Sequence, residues 1–392
     1  MRQDCSKIVD EIAAALLSDS SQKSIGLYSG RAGISLFLFY YARLKGSADI
    51  HQQASKILDQ IFDQIETTPH PQFSLCTGIA GVGWLVNHLC QQKFMQTDAN
   101  EMLSDIDEYL YRIALLELNK GHFDFMHGAL GIALYFIKRK RQDYLHHLIQ
   151  ALAIIANQDG NGLKWQSVID HEEGTKGFNI ALSHGSSSIV LILCKILQIM
   201  PEEENIKTML TGAVNYILNQ EISVEQYGCF FPSLSLESQL ELFKTRLAWC
   251  YGDLGVALAI WKSGTILQNQ TWTNKGMEVL LHAASRRRLQ ENRVQDAGIC
   301  HGTAGIAHIF SRLFHDTARN EFKDAANYWI TETIKMAKFK DGLAGYKTWH
   351  HPKYGGWQTD NNLLDGIAGI GMSLLSFLDK NDPAWDECLL LT

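Results

Sequence analysis

The sequence predicts an all-α fold: a seven-fold α/α toroid of inner and outer helices, with short strands or loops at its rim. Three observations predict it. One glycine-led apolar phrase recurs seven times along the chain. An amphipathic helical pattern lies between successive copies. Glycine is plentiful at 31 and proline scarce at 6, which suits helices joined by glycine turns.

The elements follow in order. Residues 5–18 place Ile8, Val9, Ile12, Leu16 and Leu17 at helical spacing, so one face is buried. GLYSGRAGISLFLFYYARL at 26–44 is a glycine turn feeding an apolar helix, with Ser29 or a neighbour as its expected cap. The phrase returns as CTGIAGVGWLVNHL, HGALGIALYFIKR, HGSSSIVLILCKIL, CYGDLGVALAIW, CHGTAGIAHIFSRL and DGIAGIGMSLLSFL. Its anchoring glycines are Gly30, Gly78, Gly128, Gly185, Gly252, Gly302 and Gly366, spaced 48 to 67 residues apart. A second glycine follows three positions later in six copies; in the fourth that place is Ser188. Between copies, residues 101–117 put Leu103, Ile106, Leu110 and Ile113 on one face with acids opposite. Residues 144–157, 203–218, 273–288 and 320–337 read the same way.

An open solenoid needs polar terminal repeats, but the last copy is as apolar as any interior one. Closure of copy seven on copy one is therefore expected, giving one domain over 1–392 with the glycine turns converging at one end of a cavity. Short strands are expected in 159–167, 227–234 and 341–357, where Asp-Gly and aromatic clusters signal turns.

Hydrophobic residues make up 46% and charged residues 20%, enough to bury a large core. A net charge of −7 supplies no basic field for nucleic acid. The run RRR at 286–288 reads as the polar face or end of a helix. No stretch reaches the ~18 apolar residues of a membrane span, and the start does not read as a signal peptide. Eight scattered cysteines then suggest a reduced, cytoplasmic protein.

The residues just before each anchoring glycine occupy equivalent places. Cys250, Cys300 and His301 among them offer two thiolates and an imidazole, a set that selects Zn²⁺ and leaves a fourth position open. The alternative is buried cysteine beside a satisfied core histidine. His184 or His127 as a fourth ligand would close the site. An open zinc site holds an incoming thiol as thiolate at neutral pH. The electrophile it attacks then needs a proton from a nearby acid, for which His184 stands best placed. Asp124, between two phenylalanines, needs a partner in His184 or Arg246. Arg246 suits a carboxylate or developing enolate charge, and Tyr251 a hydrogen bond to substrate or to Asp124.

RLAWCYGDLG, CHGTAGI, SHG at 183–185 and the repeated G-x-x-G together resemble the lanthionine synthetase C-like family, over essentially the whole chain. The resemblance implies an α/α toroid with one zinc at the top of its cavity. It also implies addition of peptide cysteine thiols to dehydroalanine or dehydrobutyrine, forming lanthionine and methyllanthionine rings. Cys250, Cys300 and His301 then match the zinc ligands. His184 matches the active-site histidine, and Asp124, Arg246 and Tyr251 the other polar active-site residues. A stand-alone cyclase is implied, acting on a dehydrated precursor peptide made by a separate dehydratase. An exporter is a further expected partner, with a cytoplasmic place at the periphery of a membrane-associated complex.

Two departures stand out. Leu254 occupies the place of a proline in many members, and HGSSS that of HG-x-x-G. Neither removes a ligand or proton donor. Three other readings compete: a relative that binds or adds glutathione without cyclising, an α/α-barrel glycosidase using Asp124 and Asp365, and a non-catalytic scaffold with structural zinc.

Overall fold

The computed structural model describes residues 1–392 except 20, 70, 161, 171 and 380–382. In chain order the elements are α1 (Arg2–Ser18), α2 (Arg31–Lys45), α3 (Ala48–Thr67), α4 (Ile79–Gln91), α5 (Ala99–Asn119), α6 (Ala129–Arg139), α7 (Gln142–Ile154), β1 (Asn157–Asp159), β2 (Gly162–Lys164), β3 (Gln166–Asp170), β4 (Thr175–Phe178), α8 (Ser186–Ile199), α9 (Glu204–Leu218), α10 (Val224–Tyr227), α11 (Asp253–Ile266), α12 (Gln270–Ser285), α13 (Thr303–Thr317), α14 (Asn320–Lys335), β5 (Thr348–Trp349), β6 (Trp357–Gln358) and α15 (Ile367–Leu378). The strands form antiparallel pairs, β1 with β2, β3 with β4 and β5 with β6. Among the described residues no helix is long and apolar enough to cross a membrane.

The chain divides into two compact units. The first holds Met1–Gln96, Arg287–Gln290 and Val294–Asp386. Its glycine-led helices pack in the order α13, α15, α2, α4, so the last copy lies against the first. Each of α13, α15 and α2 carries an amphipathic partner: α14, α1 and α3 respectively. The second unit holds Thr97–Arg286, Glu291–Arg293 and Glu387–Thr392. There α6 packs on α8 and α8 on α11, with α5 and α7 on α6, α9 on α8 and α12 on α11.

The contrast within each pair follows from composition. In α4 every residue from Ile79 to Leu89 is buried, as an all-apolar helix requires. In α3 only Ala54, Leu58 and Ile61 are buried, one stripe on an otherwise polar helix.

One backbone device recurs before the apolar helices. The first helical N–H donates to the carbonyl seven residues earlier: Arg31 to Ser24, Ile79 to Gln72, Ser186 to Asn179, Thr303 to Asp296 and Ile367 to Asp360, all at 2.8–3.0 Å. These contacts satisfy an orphan helix donor without a side chain. Ser29 is accordingly not the cap of α2; Gly30 is, with no side-chain bond.

A second device joins neighbouring copies. The N–H groups of Tyr28 and Ser29 donate to the carbonyl of Cys76, those of Leu363 and Leu364 to Tyr28, those of Ile299 and Cys300 to Leu364, and that of Ser183 to Cys250. Every acceptor stands two residues before its anchoring glycine. At these four junctions one loop is registered on its neighbour at the level of the candidate site residues.

The second glycine of G-x-x-G makes this approach possible. A Cβ on Gly369 would lie 1.9 Å from the Leu363 carbonyl and 2.7 Å from Cγ1 of Ile299 in the preceding copy. One on Gly255 would lie 2.6 Å from Cβ of Leu182, again in the preceding copy. In the fourth copy Ser188 folds its hydroxyl back onto the Gly185 carbonyl at 2.7 Å.

Several expectations need correction. The acids of α5 do not all face solvent: Asp107 and Glu117 are buried. Asp107 binds Arg139 at 2.8 Å and Arg141 at 2.9 Å, so paired charge replaces an apolar seam there. Residues 227–234 hold no strand; α10 ends there and loop follows, because Phe230 and Phe231 give their N–H groups to the Asp253 carboxylate and not to a ladder. The hairpins expected in 159–167 and 341–357 are present, although position 161 lies outside the described residues. Arg286 is no polar-face residue; it ends α12 buried, bonded to Asp253 and Asn292.

Gly369→Ala is expected to cost about 1–3 kcal/mol, the usual range for overpacking, because backbone atoms must give way. Urea unfolding should show a lower midpoint with an unchanged slope.

Candidate metal centre and proton-transfer pair

The residues before the anchoring glycines are held by the loop-to-loop hydrogen bonds above. Cys250 is buried, and Cys300 and His301 are half-buried. One donor atom from each of the three lies within 4.8 Å of the other two. Residues 50 apart in sequence thus meet at a metal-binding distance. His127 and His184, the two fourth-ligand alternatives, are outside this group among the described residues.

His184 is engaged elsewhere. Its Nδ1 lies 2.6 Å from Oδ2 of Asp124. The other oxygen of Asp124 accepts the N–H groups of Met126 and His127, both at 2.8 Å. The carboxylate is therefore fixed by the glycine turn of its own copy and presents its remaining oxygen to the ring. This settles both alternatives for Asp124: His184 is its partner, and Arg246 is not.

The pair shifts both titrations. Burial works against the ionised Asp124, but the hydrogen bond and charge of His184 outweigh it and hold the carboxyl below the usual range. Burial likewise works against imidazolium, yet Asp124 holds the His184 pKa above the ordinary histidine value.

Tyr251 sits beside this pair, its ring centroid 6.1 Å from that of His184. Its hydroxyl oxygen accepts from Nδ2 of Asn179 at 3.4 Å. Asn179 also holds the turn before α8, accepting the Ala181 N–H at 2.8 Å. Arg246 is half-buried six residues before Gly252, its carbonyl against that glycine. Leu254 is buried in the first turn of α11, a turn in which a proline also fits.

Sequence reasoning missed Asp296 and Asn179. Oδ2 of Asp296 lies 3.4 Å from Nε2 of His301. The signal was present: Asp296 stands six residues before Gly302, as Arg246 does before Gly252 and Asn179 before Gly185. Asp365, adjacent to its own glycine, places Oδ1 3.9 Å from Nδ1 of His301.

A paired-helix fold with Cys, Cys and His gathered beside glycine turns defines the lanthionine synthetase C-like class. The sequence matches the model of that family, described as lanthionine synthetase C-like protein, over residues 21–390, and the chain belongs to it. Among characterised proteins, the nisin biosynthesis protein NisC of Lactococcus lactis subsp. lactis is 22% identical over 391 residues, covering 93% of this chain and 88% of that protein. The solved structure of nisin cyclase superposes with a TM-score of 0.77 at 18% identity, covering 99% of this chain and 97% of that one. At that identity the superposition speaks to the fold.

Asp124→Asn keeps the turn's acceptor oxygen and removes the charge. The His184 pKa should fall toward about 6.5 in an NMR titration. The stability difference from wild type should be full below about pH 6.5, while Asp124 stays ionised, and should shrink as pH rises through the raised pKa of His184.

Proposed function

We propose that the chain is a zinc-dependent lanthipeptide cyclase, adding peptide cysteine thiols to dehydroalanine or dehydrobutyrine. The observation that carries this is the convergence of Cys250, Cys300 and His301 within 4.8 Å. Two thiolates and an imidazole fit zinc, and three protein ligands leave a position open. Bound zinc would supply a Lewis acid that holds an incoming thiol as thiolate at neutral pH. The seven glycine copies and the packing of α15 on α2 support a single α/α toroid over residues 1–392.

The chain's own residues handle the proton. Asp124 accepts the Nδ1–H of His184, which leaves Nε2 as the atom that takes up and delivers the transferable proton. The thiol sulfur bonds to the β-carbon of the dehydroamino acid, the C=C π pair moves into the enolate, and the thiol's proton passes to solvent. The α-carbon of the enolate takes the Nε2 proton of the His184 imidazolium, which solvent restores, so one proton leaves sulfur, one arrives at carbon and the ring closes with no change in mass. Arg246 is assigned to the developing enolate oxygen and Tyr251 to positioning the substrate beside His184. The substrate arrives already dehydrated, which places a dehydration of the peptide's serine and threonine residues before this step.

A dehydrated peptide with internal cysteines should lose its alkylatable thiols on incubation, at constant mass. Thiols that stay alkylatable refute the cyclase reading, and mass gain with added glutathione favours the glutathione-adding alternative. His184→Ala should slow ring formation by about 10²–10⁴-fold. Cys300→Ala should lose both bound zinc and turnover. Asp124→Asn should move the basic limb of the kcat/KM profile to lower pH, since less imidazolium survives at a given pH.

A further inference from the structure

We infer that Asp296 is a positioning residue that holds His301 as the Nε2–H tautomer, so that Nδ1 is the nitrogen available to a metal. The inference rests on the zinc reading above and adds which ring atom binds and what directs it.

Three observations carry it. Nε2 of His301 is 3.4 Å from Oδ2 of Asp296, and the carboxylate side chain is only 1% exposed. Both oxygens of that carboxylate are pinned by backbone donors: Oδ2 takes the Trp349 N–H at 2.8 Å, and Oδ1 the Gly298 N–H at 3.1 Å. The carboxylate therefore has a fixed orientation set by β5 and by the CHG turn itself. The opposite nitrogen has a weaker competitor: Asp365 is 3.9 Å from Nδ1 and its side chain is 25% exposed. A carboxylate accepts hydrogen bonds and donates none, so the nitrogen facing buried Asp296 is the one that carries hydrogen. A neutral imidazole has one N–H and one lone pair, which leaves the lone pair on Nδ1. Carboxylate–histidine–metal arrangements of this kind fix ring orientation and raise ligand basicity. Asp296 also ties the β5–β6 hairpin to the ligand, since one oxygen serves both Trp349 and His301.

The test uses the full chain loaded with zinc and labelled with ¹⁵N-histidine. Long-range ¹H–¹⁵N correlation should show His301 with a metal-bound Nδ1 and a protonated Nε2. A metal-bound Nε2 overturns the inference while leaving the zinc reading intact; a chain that takes up no zinc defeats the zinc reading instead. Asp296→Asn should lower zinc affinity about 10–100-fold in chelator competition. It should also change the cobalt(II)-substituted absorption spectrum, with helical circular dichroism retained. Wild-type affinity in a folded Asp296→Asn protein refutes the proposal. Should that variant fail to fold, the tautomer measurement on the unsubstituted protein decides alone.

Discussion

The close approach of one glycine turn to the next is the constraint on which the structure depends. The carbonyls of Tyr28, Cys76, Cys250 and Leu364 each accept from the loop of a neighbouring copy. A carbonyl buried there without a donor would be costly, and the neighbour's N–H removes that cost. The contact requires the apolar helices to sit almost backbone to backbone. Gly255 against Leu182 and Gly369 against Ile299 leave no room for a methyl group.

This geometry explains why chemistry gathers at the turns. A loop held by backbone hydrogen bonds to a neighbouring turn presents its side chains in set directions without a dedicated scaffold. Cys250, Cys300, His301 and His184 all stand one or two residues before an anchoring glycine. Functional side chains on rigid supports keep their geometry. Asp124 and Asp296 extend the principle. Backbone N–H groups orient both carboxylates, those of Met126 and His127 for Asp124 and those of Gly298 and Trp349 for Asp296, and each presents an oxygen to a histidine. The two histidines thereby stand in different settings, His184 beside Tyr251 and His301 next to Cys300.

Legibility in the sequence varied with the range of the physics. Helix positions were plain because apolar periodicity and glycine are local signals, and α9 and α14 begin and end within two residues of the expected spans. Of Ser29 and its neighbours the cap fell to Gly30, and the carbonyl seven residues back that serves the first helical N–H leaves no compositional trace. The buried Asp107 was invisible for a related reason. Its partners Arg139 and Arg141 lie at the last residue of the next helix and just past it, and an acid on a helix face reads as solvated until they are in place. The missing strand in 227–234 turned on Asp253, whose carboxylate takes the N–H groups a ladder would have used.

By itself the sequence determined the repeat, the helix pairs, the family, and the candidate Cys-Cys-His set. These rest on residue identity and spacing, which a chain carries before it folds. Tertiary structure decided the pairings. It brought one donor atom each of Cys250, Cys300 and His301 within 4.8 Å. It gave Asp124 to His184 instead of Arg246, and it turned Asp296 toward Nε2 of His301. Hydrogen bonds and ion pairs depend on distances of a few ångströms and on direction. Between residues far apart in the chain, only packing sets those quantities.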